Sequence, residues 1–335
     1  MTHELKQIFK AFEAANTKNI PCVLATVVAL DGSSYRRPGV RMLLLEDGSS
    51  IGAVSGGCVE KEVFKQAESV FTTKIPKVMT YDGRYRLGCE GILYILLEPF
   101  NPNETFLTKF WNSIDRREPF TFQSFYEKEH IEGKGFGSLF KTEDGTLSLQ
   151  LEFKPKDDVL LFEEELNPCS RMIIIGAEHD AVQLCSFASM MGWEVTIVAN
   201  PKEEKSIINF VGASQFVNAE AETLDIKIDD HTAIVLMTHS YVKDLQFLMR
   251  LKDENPGYFG LLGPARRREK LFNELLERYQ DISEDFLESI HGPAGLDIGA
   301  ETPQEIAIAV MGEILAVINK REPQLLKKRV GRIHS

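Results

Sequence analysis

Beyond residue 170 the chain repeats one pattern: a short apolar run, a glycine-bearing or polar turn, then a stretch with helical spacing. The first repeat is the most telling. Arg171-Met172-Ile173-Ile174-Ile175 has no polar alternation and so must be covered on both faces. It runs through Gly176-Ala177-Glu178-His179-Asp180-Ala181 into a helix. Strand signals return at 193–198, 215–218, 233–238 and 258–262, with helical stretches between several of them. Strands alternating with helices predict a parallel, doubly wound sheet of Rossmann-like type.

The 335 residues suggest two domains at about 150 residues each. Segment 154–167 is rich in charge and bounded by Pro155 and Pro168, which places the boundary near 165 and gives domains 1–165 and 166–335. The first domain reads as α+β. A helix buries Leu5, Ile8, Phe9 and Phe12; a strand covers 21–30; and 41–45 and 51–54 form a hairpin about Asp47-Gly48. Ser55-Gly56-Gly57-Cys58-Val59-Glu60 then opens a helix carrying Val63, Phe64, Ala67 and Val70. A second glycine-cysteine turn, Arg86-Leu87-Gly88-Cys89-Glu90-Gly91, leads into a buried strand over 92–99. A helix over 103–117 and antiparallel strands over 121–127, 137–141 and 146–153 complete the domain.

A net charge of −12 argues against nucleic acid as a partner. No apolar run is long enough to span a bilayer, and the first residues lack a signal-peptide pattern, so the expected compartment is the cytoplasm. Five cysteines with no CxxC pair do not make a disulfide framework. Cys22 and Cys185 lie in apolar segments and read as core. Only Cys58 and Cys89 stand in glycine-rich turns.

Cys58 stands where a helix N-terminus favours thiolate, a species suited to ligating a soft metal, carrying sulfur or attacking an electrophile. A tight turn around a small buried cysteine is the plain alternative. The loop holding Ser33, Ser34, Arg36 and Arg37 suits a phosphate or carboxylate, or is simply solvated. In the second domain, Glu178 replaces the middle glycine of a dinucleotide fingerprint, and Ala199-Asn200 stands where a ribose-binding carboxylate is usual. Three later loops lie at strand ends, where open parallel sheets bind ligands. The first holds Thr238 and His239, a histidine placed to act as acid or base or to cap an element. In the second, Arg266, Arg267 and Arg268 oppose the helix dipole in a first turn, which points to an anionic ligand or partner or to a solvated basic face. The third contains His291, Gly292, Pro293, Gly295 and Asp297, before a capping box at Thr302-Pro303-Gln304-Glu305.

These strings together resemble the xanthine dehydrogenase accessory factor family (XdhC/CoxI), molybdenum-enzyme maturation proteins. The resemblance rests on Gly32-Ser33-Ser34, Arg36-Arg37-Pro38-Gly39, the Cys58 and Cys89 turns, Gly176 with His179-Asp180-Ala181, Thr238-His239, and the run from His291 to Glu305. It implies a protein that binds molybdenum cofactor (molybdopterin), holds it during sulfuration and passes it to a xanthine dehydrogenase-type apoenzyme. It implies a maturation factor rather than a turnover enzyme. A cysteine desulfurase as sulfur source and a homodimer belong to the same expectation. Cys58 becomes the molybdenum contact and, with His239, the reactive pair. Ser33, Arg36, Arg37, Ser55, Gly56, Gly57, Cys89, Gly176, His179, Asp180, Arg266, Arg267, His291 and Asp297 become cofactor-binding candidates. The chain departs from the family at Glu178 and at Ala199-Asn200, which weighs against a nucleotide in the second domain. Two other readings stand beside this one: an NAD(P)-dependent oxidoreductase using the Rossmann-like domain, and a persulfide-carrying sulfurtransferase based on Cys58.

Overall fold

A computed structural model describes residues 1–32, 37–55, 57, 59–83, 91–129, 131–150, 153–279 and 282–329. The chain divides into two compact units, Met1–Cys169 and Ser170–Ser335.

In the first unit α1 (Thr2–Asn16) is followed by β1 (Cys22–Asp31), β2 (Arg41–Leu45), β3 (Ser50–Gly52), α2 (Glu60–Thr73), β4 (Lys77–Asp82) and β5 (Ile92–Pro99). These strands form an antiparallel sheet ordered β3-β2-β1-β5-β4. Then come α3 (Glu104–Arg116), β6 (Phe120–Tyr126), β7 (Gly137–Thr142), β8 (Gly145–Ser148) and β9 (Leu160–Leu166), whose strands make a second antiparallel sheet ordered β8-β7-β6-β9. Alternation along β1 feeds two cores, because successive side chains point to opposite faces. Val23, Ala25 and Val27 pack under Val63, Ala67 and Val70 of α2. Cys22 and Leu24 join Leu5, Ile8, Phe9 and Phe12 of α1 in an aromatic cluster with Phe106, Phe110, Phe120, Phe122 and Phe140. Phe9 stacks on Phe110 with ring centroids 3.9 Å apart.

The charge-rich segment expected to mark the domain boundary contains β9, which pairs with β6 along its whole length. Its run Leu-Leu-Phe-Glu-Glu-Glu-Leu reads as solvated, yet Glu164 is drawn inward by Arg41 at 2.6 Å. The expected strand over 146–153 is shorter and stops at Ser148.

Between the sheets, amid apolar packing, lies a buried polar cluster. Glu98 is completely buried and accepts hydrogen bonds from Ser138 N–H (2.9 Å), Ser138 Oγ (2.6 Å) and Gln150 Nε2 (2.9 Å). Burial pushes its carboxyl above the ordinary range, only partly offset by these donors. A raised carboxyl pKa means the folded state keeps the proton after the unfolded chain has released it. Stability attributable to Glu98 is therefore intact below the ordinary carboxyl range and is lost as pH rises from there through the raised folded-state value. Glu98→Gln should flatten that part of the stability–pH curve, measured by urea unfolding at stepped pH. A slope equal to wild type would refute the assignment.

The second unit runs β10 (Arg171–Ile175), α4 (His179–Met190), β11 (Glu194–Ala199), β12 (Gln215–Asn218), β13 (Thr232–Leu236), α5 (Tyr241–Leu251), β14 (Tyr258–Leu261), α6 (Ala265–Arg278), α7 (Glu284–Glu288), β15 (Ile290–His291) and α8 (Pro303–Ile318). All pairings are parallel and the order is β12-β11-β10-β13-β14-β15, the 3-2-1-4-5-6 arrangement of a Rossmann domain. Met172 and Ile174 face α4 and α8, whereas Ile173 and Ile175 face α5, α6 and α7. The Thr302 capping box forms at the start of α8. Among the described residues no helix is long and apolar enough to cross a membrane.

Candidate functional site

The antiparallel topology of the first unit brings the flanks of three glycine-rich loops to one end of its sheet. Asp31 at the end of β1 pairs with Ile92 at the start of β5, and Ile92 pairs with Asp82 at the end of β4. Gly52, at the end of β3, pairs with Met42 near the start of β2. The connections 32–40, 53–59 and 83–91 thus all leave from that end. Of the expected site residues, Ser33, Arg36, Gly56, Cys58 and Cys89 lie outside the described residues. Arg37 is described and exposed.

Ser55 fastens the cysteine turn to the helix that follows it. Its Oγ accepts from the N–H groups of Gly57 (3.2 Å) and Val59 (3.3 Å). Its own N–H and Oγ donate to Glu60 at 2.8 Å each. Burial raises the Glu60 pKa, but the Ser55 hydroxyl and backbone N–H groups outweigh it and hold the carboxyl below its usual range. Gly57 has φ +115°, a conformation that favours glycine, and a Cβ built on it would meet nothing within 4 Å. At Gly57 the turn therefore faces open space, whereas Val59 two residues on is buried in the core.

In the second unit Gly176, Thr238–Ser240, the start of α6 and the loop after β15 all lie at the carboxyl ends of parallel strands. His239 adopts φ +56°, is exposed, and places Nε2 3.6 Å from Asp180 Oδ2 in the first turn of α4. His179 and Asp297 are exposed, as is Arg266. Arg267 is committed inward: Nε and Nη2 both donate to Asp244 Oδ2, at 3.0 and 2.5 Å. Thr238 Oγ1 donates to the other oxygen of Asp244 at 2.5 Å. Arg268 donates to the carbonyl of Gly292.

The cavity at the Gly176 turn is about 60 Å³, lined by Glu178, Glu203, Glu220, Asn200, Thr238 and Lys243 among others. Lys205 closes over the turn, its Nζ donating to the Ala177 carbonyl at 2.7 Å. Ligand pockets usually measure about 300 Å³ or more, and three carboxylates would oppose a pyrophosphate. Among the described residues no three His, Cys, Asp or Glu side chains are grouped to hold a metal ion.

Two inward-turned carboxylates, one buried and one half-buried, carry no motif signal. Asp244, 1% exposed, was visible only as a polar residue early in a helix. Glu313 interrupts the apolar sequence of α8, and its partners are distant in the chain. Its Oε2 accepts from the Tyr258 hydroxyl (2.6 Å) and the Gly295 N–H (2.8 Å), and its Oε1 lies 3.2 Å from His291 Nδ1. Burial, then Glu313, pushes the Tyr258 hydroxyl far above its ordinary range, so it remains a donor.

The chain thus pairs a unit built on antiparallel sheets with one built on a Rossmann-type parallel sheet. The model of the XdhC and CoxI family matches residues 16–82, and that of the XdhC Rossmann domain matches 172–314. The chain belongs to the XdhC/CoxI family. It is similar to a protein of Bacillus subtilis described as a probable xanthine dehydrogenase component, 28% identical across 88% of this chain and 92% of that one. It is also similar to the molybdenum cofactor insertion chaperone PaoD of Escherichia coli, 23% identical across 88% and 83% of the two chains. A solved chain described as a xanthine dehydrogenase from Bacillus halodurans shares the fold, with TM-score 0.76, 23% identity, and 93% and 96% of the two chains covered.

Proposed function

We infer that the protein binds molybdenum cofactor, holds it during sulfuration and delivers it to a xanthine dehydrogenase-type molybdenum hydroxylase. The observation that carries this reading is the departure of three glycine-rich loops, two bearing cysteines and one bearing arginines, from one end of a single sheet. The names of the two relatives support it. When bound, the cofactor supplies a soft, sulfur-ligated metal and a phosphate. Cys58, in the turn that Ser55 and Glu60 brace, is the residue that would meet the metal. Arg36 and Arg37 would take the phosphate through charge-assisted hydrogen bonds. A cysteine desulfurase would supply the sulfur.

The test is purification from a host that makes molybdopterin, followed by assay of oxidised-pterin fluorescence and metal. Wild type should carry pterin in proportion to protein, and Cys58→Ala should lower retention tenfold or more, roughly 1.4 kcal/mol of binding. Equal retention with and without the Cys58 thiol would overturn the site. No pterin on the wild type would overturn the function.

A further inference from the structure

We propose that Glu313 is a positioning residue that fixes neutral His291 as the Nδ1–H tautomer, so that Nε2 presents a lone pair to an N–H or O–H donor of a bound ligand. Glu313 has 18% of its side chain exposed and is the one charged residue in the run from Ile306 to Ile318 of α8. Its Oε2 is occupied by two groups that can only donate there: the Gly295 N–H and the Tyr258 hydroxyl, which burial keeps protonated. Its Oε1 faces His291 Nδ1 at 3.2 Å. A carboxylate has only lone pairs to offer, so Nδ1 must supply the hydrogen. The Tyr258 ring lies against the imidazole, with centroids 4.8 Å apart and planes at 23°, which fixes the ring's plane.

In neutral imidazole the other nitrogen is then an acceptor. The His291 side chain is 31% exposed, and among the described residues Nε2 has no hydrogen-bond partner. It lies at the carboxyl end of β15, where a parallel sheet binds its ligands. The lone pair selects for a ligand with a donor, such as the ring N–H or amino group of a heterocycle, and against a bare anion. The ligand's identity rests on the function inferred above; the tautomer does not, because it belongs to the unliganded chain.

Glu313→Gln makes a sharp test. The Oε2 position receives two donors, so the glutamine oxygen must occupy it and the amide NH₂ must face Nδ1. Nδ1 then has to accept, and the hydrogen moves to Nε2. Two-bond ¹H–¹⁵N NMR at about pH 8.5, above the ordinary histidine value of about 6.5, reads this directly, with His291→Asn identifying the resonance. The expected result is Nδ1–H in the wild type and Nε2–H in Glu313→Gln. Nε2–H in the wild type, or one tautomer in both folded proteins, overturns the proposal. The wild-type spectrum decides alone should the variant not fold. Cofactor retention should fall about tenfold in Glu313→Gln; unchanged retention with an inverted tautomer overturns the ligand contact. A wild type free of pterin but with the Nδ1–H tautomer defeats the functional reading and leaves the positioning role standing.

Discussion

Replacing Arg41 with methionine is expected to destabilise the first unit by about 3–5 kcal/mol, the usual cost of removing one partner of a buried ion pair. Only 3% of the Arg41 side chain and 9% of the Glu164 side chain are exposed, and their 2.6 Å contact joins the two sheets. Arg41 also donates to the Gly39 carbonyl at 2.8 Å and lies over the Phe122 ring at 4.8 Å. Without it Glu164 is stranded, and Glu98 loses a nearby positive charge. The pair is incompletely compensated: Thr26 Oγ1, Arg41 Nη2 and Glu164 Oε1 are buried with no hydrogen-bond partner among the described residues. Changing both partners to methionine should therefore recover most of the loss. Urea unfolding of wild type, both single variants and the double variant measures the coupling. A single replacement costing under about 1 kcal/mol would mean the pair behaves like a surface contact.

The second large effect is expected at Gly176→Ala. Gly176 has φ +138°, and a Cβ there would sit 2.3 Å from the carbonyl oxygen of Met237 and 2.8 Å from its carbon. Both are backbone atoms beside the central strands of the parallel sheet, so neither gives way cheaply. The unfavourable φ costs about 1–3 kcal/mol and the overpacking about as much again. The loss should fall on the second unit. Native-state hydrogen exchange separates the units where a single melting curve would not. Unaltered protection in β10 and β13 would show that the turn has slack which the close approach denies.

The parallel sheet was readable because strands buried on both faces leave uninterrupted apolar runs. The structure places strands at Arg171–Ile175, Glu194–Ala199 and Tyr258–Leu261, within a residue or so of where those runs predict them. The α8 cap was readable because Thr302, Pro303 and Glu305 are adjacent in sequence and act locally. β9 was masked because its inward glutamate is neutralised by an arginine 123 residues away. β4 left no separate signal: six residues, Lys-Val-Met-Thr-Tyr-Asp, defined by pairing with β5. Glu313 is the same problem at the site. A carboxylate in an apolar helix makes sense only when partners 18, 22 and 55 residues distant converge on it. Arg267, by contrast, opposes the helix dipole, which points to an anionic ligand or partner or to a solvated basic face. Its guanidinium instead bonds a buried carboxylate from a neighbouring helix.

Those adjacent arginines have a mechanical consequence. Arg267 grips Asp244 and, through it, the Thr238 corner; Arg268 holds the Gly292 carbonyl beside His291. One helical turn thus tethers two strand-end corners on opposite flanks of β14. Any tilt of α6 would therefore displace both corners together.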